Sequence, residues 1–278
     1  MPKEYQRNDL EYALINEHKM HIFRTGNEDK PALVFMSGSA TAVPMYDFKI
    51  LYGKLLNDFR VIVIEKFGYG YSDLYEAPCD IDSVVSFQRQ ALDKIGEKGP
   101  FILAPHSMSG LEAVRWAQRY PDEITAIIGL DMAVPQTYLN WDDAELNKRI
   151  RTMKTMRKLN DWGLLFWYPL NTRGLDKDEI KEQRLLFRRN AMNACWIMAA
   201  EAVRKNAGTV SEGGRIECPV LMFVSDGTQV SANWIGYERE FGKQVIAELV
   251  DLKCGHYVHY YESEQISRKI KEFTRIWA

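Results

Sequence analysis

The chain has 278 residues and a mass of 32.2 kDa, which at about 150 residues per domain is room for one large domain or two small ones. Hydrophobic residues make up 46% and charged residues 27% of it, the balance of a globular protein and not of a disordered or fibrous one. With 36 Lys and Arg against 38 Asp and Glu, the net charge is -2, so no overall field recruits nucleic acid or an anionic membrane.

Met1–Met20 carries charges throughout and no apolar stretch before a small-residue cleavage site, so no secretory signal is expected and the cytoplasm is the default address. Candidate strands follow at His21–Thr25, Ala32–Met36, Arg60–Ile64, Phe101–Ala104 and Ala126–Leu130, and again at Val220–Val224 and Ala247–Leu252. Several are near-continuous apolar runs, as strands buried on both faces are, which predicts a parallel sheet covered by helices. Helical periodicity lies between them at Met45–Leu56, Asp82–Ile95 and Met108–Tyr120, and ends the chain with Ile266, Ile270, Phe273 and Trp277 on one stripe. This alternation predicts a doubly wound α/β fold. It breaks between about Val134 and Gly213, where two long helical patterns (Asp143–Leu159 and Asp178–Ala207) replace any strand. The expected organisation is a core of residues 1–133 and 214–278 with a helical insertion at 134–213, over the sheet end where ligands bind. The longest apolar run, Trp162–Leu170, is broken by Gly163 and Pro169 and is far shorter than the about 20 residues of a membrane span. Cys79, Cys195, Cys218 and Cys254 lack paired spacing and read as thiols, not as a disulfide framework or a zinc site.

Strand Phe101–Ala104 runs through Pro105-His106-Ser107-Met108-Ser109-Gly110 directly into a helix. A serine at such a turn is lifted clear of the backbone, with the helix N-terminus beneath it. Small residues must flank the turn; Ser109 and Gly110 suit one side, while Pro105 stands where glycine is usual and cannot donate to a ladder. Taken alone, Ser107 reads equally well as a helix cap.

Three further segments bear on that choice. Phe35-Met36-Ser37-Gly38-Ser39 is a strand followed by a small-residue turn, Glu65–Asp73 reads EKFGYGYSD, and Cys254-Gly255-His256-Tyr257 follows the last strand. In this order and spacing the four segments resemble the α/β-hydrolase family: the first half of the oxyanion hole, with Ser37 for the usual His; the D-x-x-G-x-G-x-S loop; the nucleophile elbow; and the histidine loop. The resemblance runs from about Leu33 to the C-terminus. It implies an eight-stranded, mostly parallel sheet with a helical cap, Ser107 as nucleophile, and the backbone N–H groups of Ser39 and Met108 as oxyanion donors.

A serine needs a base, and the chain has 5 histidines. His18 and His21 lie near the first strand, and His106 adjoins Ser107 and points elsewhere. His256 stands where the family places its base, with His259 as the other choice. For the orienting acid, the family slot after Val220–Val224 falls on Thr228, which holds no charge. Asp131, directly after Ala126–Leu130, is therefore preferred to Asp226, which needs a shortened loop; some haloalkane dehalogenases bring their acid from that strand end.

Within the insertion, Phe166, Trp167 and Trp196 are candidates for the roof of an apolar acyl pocket, or fasten the insertion to the sheet. Lys148, Arg149, Arg151, Lys154, Arg157 and Lys158 read as a solvated helix face beside Ile150, Met153 and Met156. No GxxxxGK(S/T), HExxH or paired-cysteine pattern occurs, so neither a nucleotide nor a metal is expected. Serine at the elbow argues against dehalogenase or epoxide hydrolase chemistry, both of which need a carboxylate nucleophile. The resemblance thus implies a cofactor-free serine esterase acting on a small-molecule acyl substrate, without nucleic acid or membrane partners. A C–C bond hydrolase, an amidase or a lyase on the same triad, and a non-catalytic small-ligand binder, are the alternatives.

Overall fold

The computed structural model describes residues 10–277; the first nine residues of the N-terminal stretch read above lie outside the described residues. Eight strands form one sheet: β1 (Tyr12–Ile15), β2 (His18–Gly26), β3 (Ala32–Met36), β4 (Arg60–Glu65), β5 (Phe101–Ser107), β6 (Ile124–Met132), β7 (Val220–Val224) and β8 (Ala247–Asp251). Their order is β1-β2-β4-β3-β5-β6-β7-β8. The pairs β1/β2 and β2/β4 are antiparallel, and all others are parallel. The chain steps from β3 outward to β4, then returns to lay β5 on the other side of β3. The crevice at that reversal, beyond the carboxyl ends of the strands, is where such sheets bind ligands.

Strand alternation sorts the apolar residues into two cores. Leu33, Phe35, Val61, Val63, Ile102, Ala104, Leu221 and Phe223 face one side. Val34, Met36, Ile62, Ile64, Phe101, Leu103, Val220 and Met222 face the other. Because both faces are covered, these strands read as unbroken apolar runs. The first face is covered by α2 (Lys49–Tyr52), α10 (Val258–Tyr261) and α11 (Ser263–Trp277). The second is covered by α3 (Ile81–Lys94), α4 (Ser109–Arg119), α8 (Ala194–Glu212) and α9 (Trp234–Gly242).

Several elements differ from the sequence reading. Strand β1 was not expected; it pairs through a two-residue turn in which Asn16 and Glu17 both take positive φ (51° and 67°), the geometry a tight hairpin demands but normally signalled by glycine. The expected helix at Met45–Leu56 is two single turns, α1 (Pro44–Asp47) and α2, broken at Phe48, whose ring is fully buried against Phe35. The expected Asp178–Ala207 helix is α7 (Lys177–Asn190) and α8, parted by Met192 at φ 50° and by Asn193, whose side chain accepts from Trp196 N–H as an N-cap. Trp277, expected on the buried stripe of α11, is 47% exposed, while Ile266, Ile270 and Phe273 are buried. Pro105 is accommodated because the β5/β6 ladder skips it: pairing passes from Leu103↔Ile127 to His106↔Leu130.

Between β6 and β7 the chain forms α5 (Pro135–Leu139), α6 (Asp143–Asp161), α7 and α8. Helix α8 enters the sheet's own core through Val203, Ala207 and Val210, so the inserted segment shares a core with the strands. Its other attachment is polar. Asn190 Nδ2 donates to Ala42 O (3.0 Å) and Gly70 O (2.8 Å), Asn193 Nδ2 to Gly68 O (2.7 Å) and Trp196 Nε1 to the same carbonyl (2.9 Å). The turn after β4 therefore finds donors for its buried carbonyls in the insertion, as buried backbone acceptors require. No helix among the described residues is long and apolar enough to cross a membrane.

Truncating Asn190, which is fully buried, removes one donor each from Ala42 O and Gly70 O, which keep only Gly70 N–H (2.9 Å) and Arg189 Nη1 (3.1 Å). Asn190→Ala should lower stability by about 1–3 kcal/mol, read from urea midpoints. Trp162→Ala, at a position 74% exposed, should stay within about 0.5 kcal/mol of the parent.

Candidate active site

Ser107 ends β5 with φ 54°, the left-handed region that costs a non-glycine residue about 1–3 kcal/mol and persists only where the surroundings impose it. They do so by crowding. A Cβ on Gly38 would lie 2.6 Å from Ser107 Cβ, and one on Gly110 would lie 2.2 Å from Ala133 O. Ser109, wholly buried, ties the turn down by donating its Oγ–H to Met36 O (2.7 Å) and His106 O (2.9 Å) as alternative acceptors. The loop after β3 and the elbow after β5 are thus locked together at the reversal of strand order.

Asp131, in the last turn of β6, also has positive φ (46°) and is completely buried. Its Oδ1 accepts from Ser225 N–H at 2.7 Å, and its Oδ2 lies 2.6 Å from His256 Nδ1. A carboxylate there fixes the imidazole proton on Nδ1 and leaves Nε2 as the basic nitrogen. Asp226 does not take part: it is exposed, and its Oδ1 accepts from Thr228 N–H (2.9 Å) and Thr228 Oγ (2.6 Å), bonds that hold its carboxyl below the usual range. It is a turn former.

The loop that carries His256 is pinned from several sides. Asp226 N–H donates to Cys254 O at 2.8 Å, and a Cβ on Gly255 would meet Gln229 Oε1 at 2.4 Å. The Trp234 ring stands edge-on to His256, centroids 5.3 Å apart. His106 Nε2 donates to His256 O at 3.2 Å. Burial foremost, with His256 and His259 next, drives the His106 pKa well below 6.5, so this ring is neutral and its Nε2–H is free to hold the carbonyl. His259, the other choice of base, is fully buried, its Nε2 3.2 Å from Asp47 Oδ2. His21 pairs with buried Glu65 at 2.8 Å, far from this edge in the sheet order, and His18 stacks on Tyr75.

Ser107 and His256 face one cavity of about 850 Å³, shared with Ser39 and Met108. The inserted helices contribute Tyr138, Trp141, Lys148, Arg149 and Thr152 to its wall. Arg149 is held over Trp141 and by Glu145 at 2.9 Å. Of the basic cluster, Lys154 pairs with Glu201 and Arg157 with Asp161. The three aromatic pocket candidates lie elsewhere. Phe166 and Trp167 are 44% and 85% exposed, and Trp196 is buried against Tyr69; none lines the cavity. Their apolar character serves the insertion's attachment or faces solvent, and the aromatic residues that the insertion contributes to the cavity wall are Tyr138 and Trp141.

One buried group was missed altogether. Glu238, on α9, is fully buried, and burial, followed by the charge of Asp131, pushes its carboxyl well above the ordinary value. The signal was present as Trp234, Glu238 and Phe241 at helical spacing, all buried, but a glutamate on an apolar stripe reads as an interruption.

The family described as alpha/beta hydrolase fold matches residues 31–160. The chain is 30% identical over 276 residues to the uncharacterized protein YbdG of Bacillus subtilis (strain 168), covering 94% of this chain and 84% of that one. Among solved structures, the haloalkane dehalogenase DbeA from Bradyrhizobium elkani USDA94 superposes with a TM-score of 0.75 at 17% identity, covering 96% and 97% of the two chains. The enol-lactonase from Burkholderia xenovorans LB400 gives 0.72 at 19% identity, covering 95% and 100%. These likenesses concern the fold.

Glu238 yields a pH test. Its folded pKa is raised, so the unfolded chain releases this proton first, at about the ordinary value of 4.5. Stability should therefore fall as pH rises above 4.5, with a slope of up to about 1.4 kcal/mol per pH unit until the folded pKa is passed. Glu238→Gln should lack that decline, so the difference in urea midpoint between variant and parent should widen from pH 4.5 toward neutrality.

Proposed function

Because the chain belongs to the α/β-hydrolase superfamily, we propose that it is a serine hydrolase that cleaves a small or medium carboxylic ester through an acyl-enzyme on Ser107. The observation that carries this reading is the 2.6 Å contact between His256 Nδ1 and Asp131 Oδ2, on an imidazole that opens into the same cavity as Ser107. The residue at the elbow decides between chemistries. A dehalogenase or an epoxide hydrolase attacks with a carboxylate, whereas this chain has a hydroxyl there, which suits addition to a carbonyl.

Ser107 Oγ attacks the ester carbon as His256 Nε2 takes its proton. The tetrahedral oxyanion is held by the N–H groups of Ser39 and Met108, each worth about 3 kcal/mol in comparable sites. Asp131 stays ionised and steadies the imidazolium. Collapse breaks the bond to the alcohol oxygen, and His256 hands the proton to that alcohol. Water then adds to the acyl carbon by the same route, releasing the acid and restoring Ser107. Residues 134–213 act as the cap that encloses the substrate.

Turnover of p-nitrophenyl esters and labelling by a fluorophosphonate test this reading. Ser107→Ala should lose labelling and at least about 10³-fold in kcat, and Asp131→Asn should lose about 10²–10⁴-fold. Asp226→Asn should remain within about twofold of the parent, as surface changes do. Absence of labelling in the folded parent would favour a non-catalytic binder, and labelling that survives Ser107→Ala would overturn the assignment.

A further inference from the structure

A second cavity, of about 80 Å³, lies behind the elbow between α3, α4 and α8. It shares two wall residues, Met108 and Val203, with the large cavity that holds Ser107 and His256. Its other walls are mostly apolar: Phe67, Tyr75, Val84, Leu111 and Ala199 among them. Polar groups at its margin engage one another. Lys66 Nζ donates to Glu112 Oε1 (2.5 Å) and Ser37 O (3.1 Å), Gln88 Nε2 donates to Glu112 Oε2 (2.7 Å), and Asn206 bonds Ile81 N–H and Cys79 O.

We propose that this cavity is the subsite for the acyl chain, and that the substrate is an ester of a short, unbranched, saturated acid. The inference rests on Ser107 as the nucleophile. Three observations lead to it. Met108, the residue directly after the nucleophile, lines both cavities with a side chain that is unbranched and adaptable in its rotamers. An acyl group bonded to Ser107 therefore has this cavity one side chain away from the large cavity into which Ser107 opens. The wall is predominantly apolar, although Gln88 Oε1 and the Tyr69 hydroxyl are buried there with no hydrogen-bond partner, and it favours a hydrocarbon over a charged tail. The size sets a limit: an engineered apolar cavity of about 150 Å³ admits benzene, so about half of that volume seats roughly three or four methylene-sized groups. Bulky aromatic and long fatty acyl groups do not fit this cavity.

The test is a series of p-nitrophenyl esters from acetate to decanoate on the full chain. For the parent, kcat/KM should rise about fourfold per methylene, the fold-change for burying one such group, and stop rising near hexanoate. Ala199→Leu on α8 and Val84→Phe on α3 fill the cavity from opposite walls without touching the large one. Each should cut hexanoate turnover at least tenfold while leaving acetate within twofold. Thermal melts identify a variant that fails to fold, and the other variant then decides. A flat chain-length profile, or equal losses on acetate and hexanoate, with Ser107 still labelled by fluorophosphonate, would overturn the subsite alone. Absence of labelling in the parent would overturn the hydrolase reading and the subsite with it.

Discussion

Asp131 is the joint on which the carboxyl edge of the sheet depends. Its two oxygens hold two other segments, the start of the turn after β7 through Ser225 N–H and the loop after β8 through His256 Nδ1. A buried carboxylate is tolerated only when such donors surround it. The residue reaches them by leaving the extended conformation for φ 46°. The elbow beside it does the same at Ser107. Two adjacent strands thus end in strained, left-handed residues, Ser107 lining the large cavity and Asp131 fully buried, and the rest of the sheet supplies the rigidity that keeps them there.

Most of the architecture was legible because a parallel sheet buried on both faces writes unbroken apolar runs: Ala32–Met36 and Val220–Val224 were read with their observed bounds. What escaped was structure specified by backbone geometry and not by pattern. The β1/β2 hairpin uses Asn16-Glu17 where glycine would have been conspicuous, and the break between α7 and α8 rests on a single methionine at positive φ. Helix α9 was hidden because a buried carboxyl interrupts its apolar stripe. For the candidate site, Ser107 and His256 were visible through order and spacing. Asp131 was preferred to Asp226 only because Thr228 fills the usual slot; residue type alone did not separate them, and the contact with the imidazole belongs to Asp131. The aromatic cluster misled because hydrophobicity marks burial of some kind, not the cavity in which it occurs.

Several of the groups packed around His256 and its carboxylate partner carry no net charge of their own. His106 is held neutral by burial, Glu238 is driven toward its protonated form, and Trp234 offers an aromatic edge. Asp131 is the ionic partner that Nδ1 meets directly.

The hydrogen bonds from Asn190, Asn193 and Trp196 to the carbonyls of Gly68 and Gly70 bear on how this scaffold can be rebuilt. The glycine-containing turn and the inserted helices are halves of a single fitted part, each supplying what the other lacks. Grafting a foreign cap onto this sheet would leave bare acceptors in a dry interior unless the matching turn travelled with it. In chimeras, the unit of exchange is the pair.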